Sequence, residues 1–248
     1  MQKKAIGKIN SIQTLGTLDG PGVRFVVFTQ GCNLRCGCCH NPDTWDINEG
    51  IEYTAEELAE KAAHYKEYFG NDGGITVSGG EPLLQPEFVT ELFKECHKRG
   101  INTCLDTSGS LMNDKTKELL SVTDRVLLDI KYTNDEDYKK FVGCGIAAPL
   151  EFLEYLNSRN IPVTLRQVII PTLNDSEKNI CLLAEIIKKY PCIKKTELLP
   201  FKKLCQVKYD KLKIDFPFKD LPTPEADKFR KLQEILEKLT VYCVIRNS

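Results

Sequence analysis

Between residues 24 and 200, short apolar runs alternate with longer segments of helical periodicity. RFVVFT (24–29), GITVS (74–78), NTCLDTSG (102–109, strand and turn), RVLLDIK (125–131), PVTLRQVII (162–170) and KKTELLP (194–200) read as strands. They are short and rich in β-branched residues, and turn residues bound several of them. Segments 54–69, 86–100, 114–121, 149–159 and 176–189 read as the helices between them. The first is opened by a Thr54/Glu57 capping box, and the second starts on Pro86 and stops at Gly100. Strands separated by helices imply βαβ units, a parallel sheet and right-handed crossovers. Six such units predict a barrel or part of one, in a single domain over 1–248. Its core spans about residues 20–205, and an extension covers 206–248. A helix over 224–239 and a last strand, TVYCVI (240–245), are expected in that extension.

In sheets of this kind the reactive groups gather at the carboxyl ends of the strands. The distinctive polar residues fall there. GCNLRCGCCH (31–40) follows the first strand, and Gly79-Gly80-Glu81 follows the second. Asp106 and Thr107 end the third, Asp129 and Lys131 the fourth. Arg166 lies inside the fifth, and Lys202 follows the sixth.

The chain has eleven cysteines, and four of them stand within eight positions: Cys32, Cys36, Cys38 and Cys39. An odd count without an export signal argues against a disulfide framework. Three chemistries remain. Zinc would take Cys36 and Cys39 as one knuckle, but no second knuckle completes it, unless His40 and the scattered cysteines serve. A redox dithiol would use the same pair and leave Cys32 without a purpose. An iron–sulfur cluster would take Cys32, Cys36 and Cys39 on three irons and leave the fourth open. Cys96, Cys104, Cys144, Cys181, Cys192, Cys205 and Cys243 are expected to be small buried hydrophobes.

The Cys32-x3-Cys36-x2-Cys39 spacing resembles the radical S-adenosylmethionine (SAM) superfamily, in which that open iron is chelated by SAM. The resemblance narrows further. GTLDGPGVRFVVFTQGC, CHNPDTWD, SGGEPLLQ, HKRGINTCLDTSG, VTDRVLLDIK and TELLP are similar to the pyruvate formate-lyase-activating enzymes, over roughly residues 5–205. The resemblance implies an open, partial (β/α)6 barrel, here with the extra C-terminal helix and strand. It implies an oxidoreductase holding one [4Fe–4S] cluster and SAM. Reductive cleavage gives methionine and a 5′-deoxyadenosyl radical, which takes a hydrogen atom from a backbone glycine of pyruvate formate-lyase.

The resemblance also assigns residues. Cys32, Cys36 and Cys39 match the cluster ligands. Cys38, Cys39 and His40 fall on a SAM-contacting segment, with Asn41 beside it. Gly79, Gly80 and Glu81 match a second contact, Asp129, Ile130 and Lys131 a third, and Arg166 a fourth. Asp106, Thr107 and Asp129 match a monovalent-cation site, with the Leu127 carbonyl beside it. Asp19 lies on the side of the substrate protein. Cys38 stands where the family has an aromatic residue, and Lys202 where it has a histidine near SAM. Reduced flavodoxin or ferredoxin is the implied electron donor.

Other glycyl radical enzymes and small-molecule radical chemistry remain as alternatives, and a zinc-binding structural module is a third class. Formal net charge is −1, so no nucleic-acid partner is expected. No apolar stretch reaches transmembrane length. A cytoplasmic monomer is expected.

Overall fold

The computed structural model describes residues 5–244. It opens with a long strand, β1 (Ile6–Gly16), which runs antiparallel to β2 (Arg24–Thr29). β3 (Ile51–Thr54) pairs antiparallel with the outer side of β1 and leads into α1 (Ala55–Ala63). The alternating core follows: β4 (Gly74–Gly79), α2 (Pro86–Lys98), β5 (Asn102–Thr107), α3 (Asp114–Leu120), β6 (Arg125–Asp129), α4 (Asp135–Phe141) and α5 (Ala147–Ser158). It ends in β7 (Val163–Ile169), α6 (Glu177–Lys189), β8 (Ile193–Pro200), α7 (Gln206–Leu212) and α8 (Ala226–Val244).

One sheet joins all eight strands in the order β3-β1-β2-β4-β5-β6-β7-β8. Every pairing from β2 to β8 is parallel. Six parallel strands thus form the expected partial barrel, and β8 is not joined back to β3. The two antiparallel strands at the other edge are an addition to the expected core.

The inner parallel strands are buried nearly throughout, as a sheet packed on both faces requires. Between sheet and helices lies the main core, with Phe25, Val27, Ile75, Val77, Leu92, Phe93, Leu105 and Leu128 fully enclosed. Arg24 seals the amino-terminal end of the barrel. Its side chain is wholly buried and donates to Thr76 Oγ1 (2.9 Å), the Ile75 carbonyl (2.6 Å), the Asp72 carbonyl (3.0 Å) and Asn102 Oδ1 (3.2 Å). Neutral oxygens take the place of a carboxylate there, so the charge is solvated by the starts of two neighbouring strands, β4 and β5, and by the turn before β4.

Among the described residues the expected C-terminal strand is absent. Through Val244 the chain continues helix α8, which packs along α6 with Leu232 and Leu236 buried; Ile245 lies outside the described residues. The run TVYCVI has strand propensity, but a helix already docked on its apolar face propagates more easily than a new strand nucleates. The first expected helix is also shorter, ending at Ala63 before a separate 3₁₀ turn at Lys66–Tyr68, although its capping box is present. Of the scattered cysteines, Cys96, Cys104, Cys192 and Cys205 are buried, Cys144 is half-buried and Cys181 is exposed. The Cys243 side chain lies outside the described residues.

Candidate functional site

A cavity of about 290 Å³ opens at the carboxyl ends of the parallel strands. Cys32, Cys36, Cys38, Cys39, His40 and Asn41 line one side of it. Gly79, Gly80, Glu81, Asp106 and Thr107 line another, and Asp129, Lys131 and Arg166 a third; Asp19 reaches it as well. These residues lie up to 147 positions apart (Asp19 to Arg166), and the barrel brings them together. A second hollow, about 390 Å³, lies on the outer surface among α1, α2 and α3; half of its lining residues are glutamates, with Lys94 beside them. It lacks any such convergence.

The cysteine loop leaves β2 and is held from both sides. The Gly31 N–H donates to the Thr44 carbonyl (2.7 Å), and the Gly37 N–H to the Phe141 carbonyl (2.8 Å). A smaller apolar cluster backs the loop: Leu34, Tyr132, Tyr138, Phe201, Tyr209, Phe216 and Phe218, with Cys32, Cys36 and Cys38 packed against it. Much of that wall comes from the C-terminal extension. Tyr209 donates its hydroxyl to the Cys39 carbonyl (3.2 Å), and Lys208 reaches Asn41 Oδ1 (2.8 Å) and Asp43 (2.9 Å).

None of the four thiols is in a disulfide. Burial pushes all four up, Cys32 and Cys38 to about 11. A catalytic dithiol needs a depressed thiol, so this environment counts against that chemistry. Among the described residues no three His, Cys, Asp or Glu side chains converge as the donor set of one metal ion. Thiolates on separate corner irons of a cluster do not have to meet at one point. The donor set, three thiols and a spare on one cavity wall, suits a cluster of iron and sulfide.

Gly79 and Gly80 have a packing reason to be glycine. Gly79 adopts φ +109°, and a Cβ there would lie 2.3 Å from the Thr29 amide. At Gly80 a Cβ would lie 2.1 Å from the Gly31 carbonyl. The next residue's amide, Glu81, donates to that same carbonyl (2.8 Å). The turn therefore presses on the first residue of the cysteine loop.

The Glu81 carboxylate is buried and turned to the protein. It accepts from Thr107 Oγ1 (2.6 Å), the Ser108 amide (3.0 Å), Ser108 Oγ (2.5 Å) and the Leu83 amide (3.1 Å). Burial pushes its carboxyl up, against the pull of the Ser108 and Thr107 donors.

Across the cavity, Asp106, Arg166, Asp129 and Lys131 form a chain of ion pairs. Arg166 Nη2 meets Asp106 Oδ1 at 2.5 Å, and its Nε meets Asp129 Oδ1 at 3.0 Å. Lys131 Nζ meets Asp129 Oδ2 at 2.5 Å, and Ser78 Oγ donates to Asp106 Oδ2 (2.8 Å). The parallel register sets Asp129 directly opposite Arg166. Although burial pushes it up, the Arg166 and Lys131 cations hold the Asp129 carboxyl down to about 2. Asp19 is displaced the other way, raised by burial and by the Asp106 charge.

Two expected contacts do not face the cavity. Ile130 is fully buried in the main core, which leaves only its backbone for a ligand. The exposed Lys202 takes part through its carbonyl, which accepts from His40 Nε2 (2.9 Å). Ser78 and Ser108, by contrast, line the cavity and were not anticipated. Their signal in the sequence is weak, a serine beside a Gly-Gly turn and one after Asp-Thr.

A cysteine loop after the first strand of an open parallel barrel, faced by a Gly-Gly-Glu turn, defines a radical SAM protein. The model of the Radical SAM superfamily matches residues 26–184. A pyruvate formate-lyase-activating enzyme of Clostridium pasteurianum is 46% identical over 235 residues, covering 94% of this chain and 98% of that one. The pyruvate formate-lyase 1-activating enzyme of Escherichia coli K12 is 39% identical over 236 residues, 94% and 96% of the two chains. A crystal structure of a domain of the pyruvate formate-lyase-activating enzyme from Bacteroides vulgatus superposes with a TM-score of 0.57 at 26% identity. It covers 67% of this chain and 94% of that one. This chain belongs to the family of pyruvate formate-lyase-activating enzymes. The family brings with it a [4Fe–4S] cluster and SAM. No described helix is long and apolar enough to cross a membrane.

Proposed function

We propose that this chain activates pyruvate formate-lyase by generating the glycyl radical on it. The observation that carries the reading is the single cavity on which the cysteine loop, the Gly-Gly-Glu turn and the Arg166 network meet. When bound, the cluster and SAM supply a 5′-deoxyadenosyl radical by one-electron cleavage, the hard step that a cofactor carries for a protein.

The chain's own residues bind, orient and enclose. Cys32, Cys36 and Cys39 hold the cluster, and Cys38 stays uncoordinated. The amides and carbonyls around Gly79 and Gly80, with the backbone from Asp129 to Lys131, hold the methionine end of SAM. Arg166 and Lys131 supply positive charge for its carboxylate. His40 and Asn41 stand beside the adenosine. Asp19 lies at the cavity's substrate side, and the open barrel leaves room for a loop of the partner protein. A monovalent cation at Asp106, Thr107 and Asp129 belongs to the same reading, and it must compete with Arg166 for their oxygens. Reduced flavodoxin or ferredoxin supplies the electron, and the chain acts as a monomer.

The test is direct. Anaerobically reconstituted protein, SAM, a one-electron reductant and pyruvate formate-lyase should together give the doublet of a glycyl radical in electron paramagnetic resonance. Iron-replete protein that cleaves SAM but gives no doublet would disprove the partner.

A further inference from the structure

The connection between β1 and β2 runs from an exposed tip to the inside of the barrel. Thr17 and Leu18 are exposed, Leu18 by 84%, whereas the next residue, Asp19, is half-buried and reaches the cavity. Two contacts draw it in. Gly20 lies against the barrel interior, where a Cβ would sit 3.5 Å from Arg24 Nε and from Cys104 Sγ. The Asp19 carbonyl accepts from the Thr76 hydroxyl (2.7 Å), and Thr76 is a fully buried residue of β4. Register sets Thr76 between Val26 and Cys104. It stands two positions before Ser78, on the same face of the strand, and therefore one step below the cavity wall that Ser78 lines.

Strand preference does not account for that hydroxyl. Thr76 lies between Ile75 and Val77, and valine would suit a buried strand equally well. A hydroxyl taken out of water must be bonded, and this one is bonded twice. Arg24 Nε donates to Thr76 Oγ1 (2.9 Å), which leaves the single hydroxyl hydrogen for the Asp19 carbonyl. We propose that Thr76 is a positioning residue, whose hydroxyl fixes the Asp19 backbone and so aims the Asp19 carboxylate at the partner's loop. The inference rests on the substrate-side reading of Asp19 given above. Without the bond, segment 17–22 loses an anchor and Asp19 samples more positions. Partner binding then suffers, while the cluster and SAM are held by other residues.

The experiment uses the full chain, reconstituted anaerobically, with pyruvate formate-lyase as the partner. Thr76→Val keeps the shape and removes the hydroxyl, and Thr76→Ser keeps the hydroxyl. Asp19→Ala removes the carboxylate itself. Electron paramagnetic resonance follows the rate of glycyl radical formation against partner concentration. In Thr76→Val the apparent KM for the partner should rise about threefold to tenfold, the effect of one lost hydrogen bond, with kcat changed less. Iron, sulfide and SAM affinity should match the parent, and Thr76→Ser should restore KM. A merely structural role would lower the folded fraction, and with it kcat, but leave KM alone. Amide hydrogen exchange of segment 17–22 should quicken in Thr76→Val. Thr76→Ala, which leaves room for a water beside Arg24, carries the same expectations and covers a valine variant that does not fold. A KM raised in Asp19→Ala but unchanged without the Thr76 hydroxyl overturns the inference alone, as does a raised KM that serine fails to restore. An unchanged KM in Asp19→Ala overturns the substrate-side reading, and the inference with it. If the parent gives no radical, the partner reading has failed, and unchanged exchange of 17–22 in the variants then overturns the anchor.

Discussion

The Thr107 hydroxyl donates to the Glu81 carboxylate at 2.6 Å, which fastens the end of β5 to the turn after β4. Thr107 also accepts from the Gly109 amide (3.0 Å), so its hydroxyl is fixed at both ends. The acidic residue of the Gly-Gly-Glu turn is thus a clamp between two strand ends. The turn it steadies is the one that presses on Gly31.

Glu81→Ala should therefore act on both stability and ligand binding. Four donors lose their acceptor together, and we expect a loss of about 3 kcal/mol in denaturant unfolding. SAM affinity by calorimetry should drop roughly tenfold, about 1.4 kcal/mol. Glu81→Gln keeps the shape and part of the bonding and should fall between. Unaltered stability in Glu81→Ala would contradict the clamp.

Arg166 bridges two carboxylates that would otherwise face each other. Arg166→Met should cost about 3–5 kcal/mol, because it leaves buried charge without its counterion. Arg166→Lys should rescue little, since an ammonium on a flexible stem cannot present the two directed donors that the guanidinium offers. Thermal unfolding and SAM binding of both variants check this.

The cysteine loop makes a sharper forecast. Cys38→Ser should keep a full complement of iron and sulfide. Serine at 32, 36 or 39 should lose most of it. Metal and sulfide analysis of anaerobically purified protein decides the matter, and loss of iron in Cys38→Ser would reassign the ligands.

Arg24 tests the fold apart from the chemistry. It is wholly enclosed at the opposite end of the barrel from the cavity. Arg24→Ala should lower stability by about 3 kcal/mol or more, since a cavity opens and the starts of β4 and β5 lose their shared donor. Cluster content per folded molecule should not change. A stable Arg24→Ala protein would mean that water replaces the guanidinium at little cost.

Much of this architecture was legible because parallel strands buried on both faces must be apolar along their whole length. RFVVFT and RVLLDIK announce themselves in that way. β1 did not, since IGKINSIQTLG is half-exposed and interleaves Lys8, Asn10 and Gln13 with its buried residues. TVYCVI misled for the opposite reason: local preference pointed to a strand, and the packing of α8 on α6 prevailed. At the site, polar residues at strand ends were legible one by one. Their pairing was not, because Asp106 and Arg166 stand 60 positions apart and only the register joins them. The part of the extension that walls the cysteine loop, Lys208, Tyr209 and Phe218, carries no motif. Only its contacts tie it to the site.

An unclosed barrel leaves β8 with a free edge, since it pairs only with β7 among the described residues. Such a row of unpaired amides and carbonyls invites another chain to add itself as a strand. β8 carries exposed Lys194 and Lys195 near its start and Pro200 at its end. Lysines make stacking of copies unfavourable, and proline removes a donor from the edge. Replacing Lys194 and Lys195 with threonine would leave the cavity intact and make the protein prone to aggregate. The opening proposed to admit a partner's loop thus carries a solubility burden, and three residues of the edge strand hold it in check.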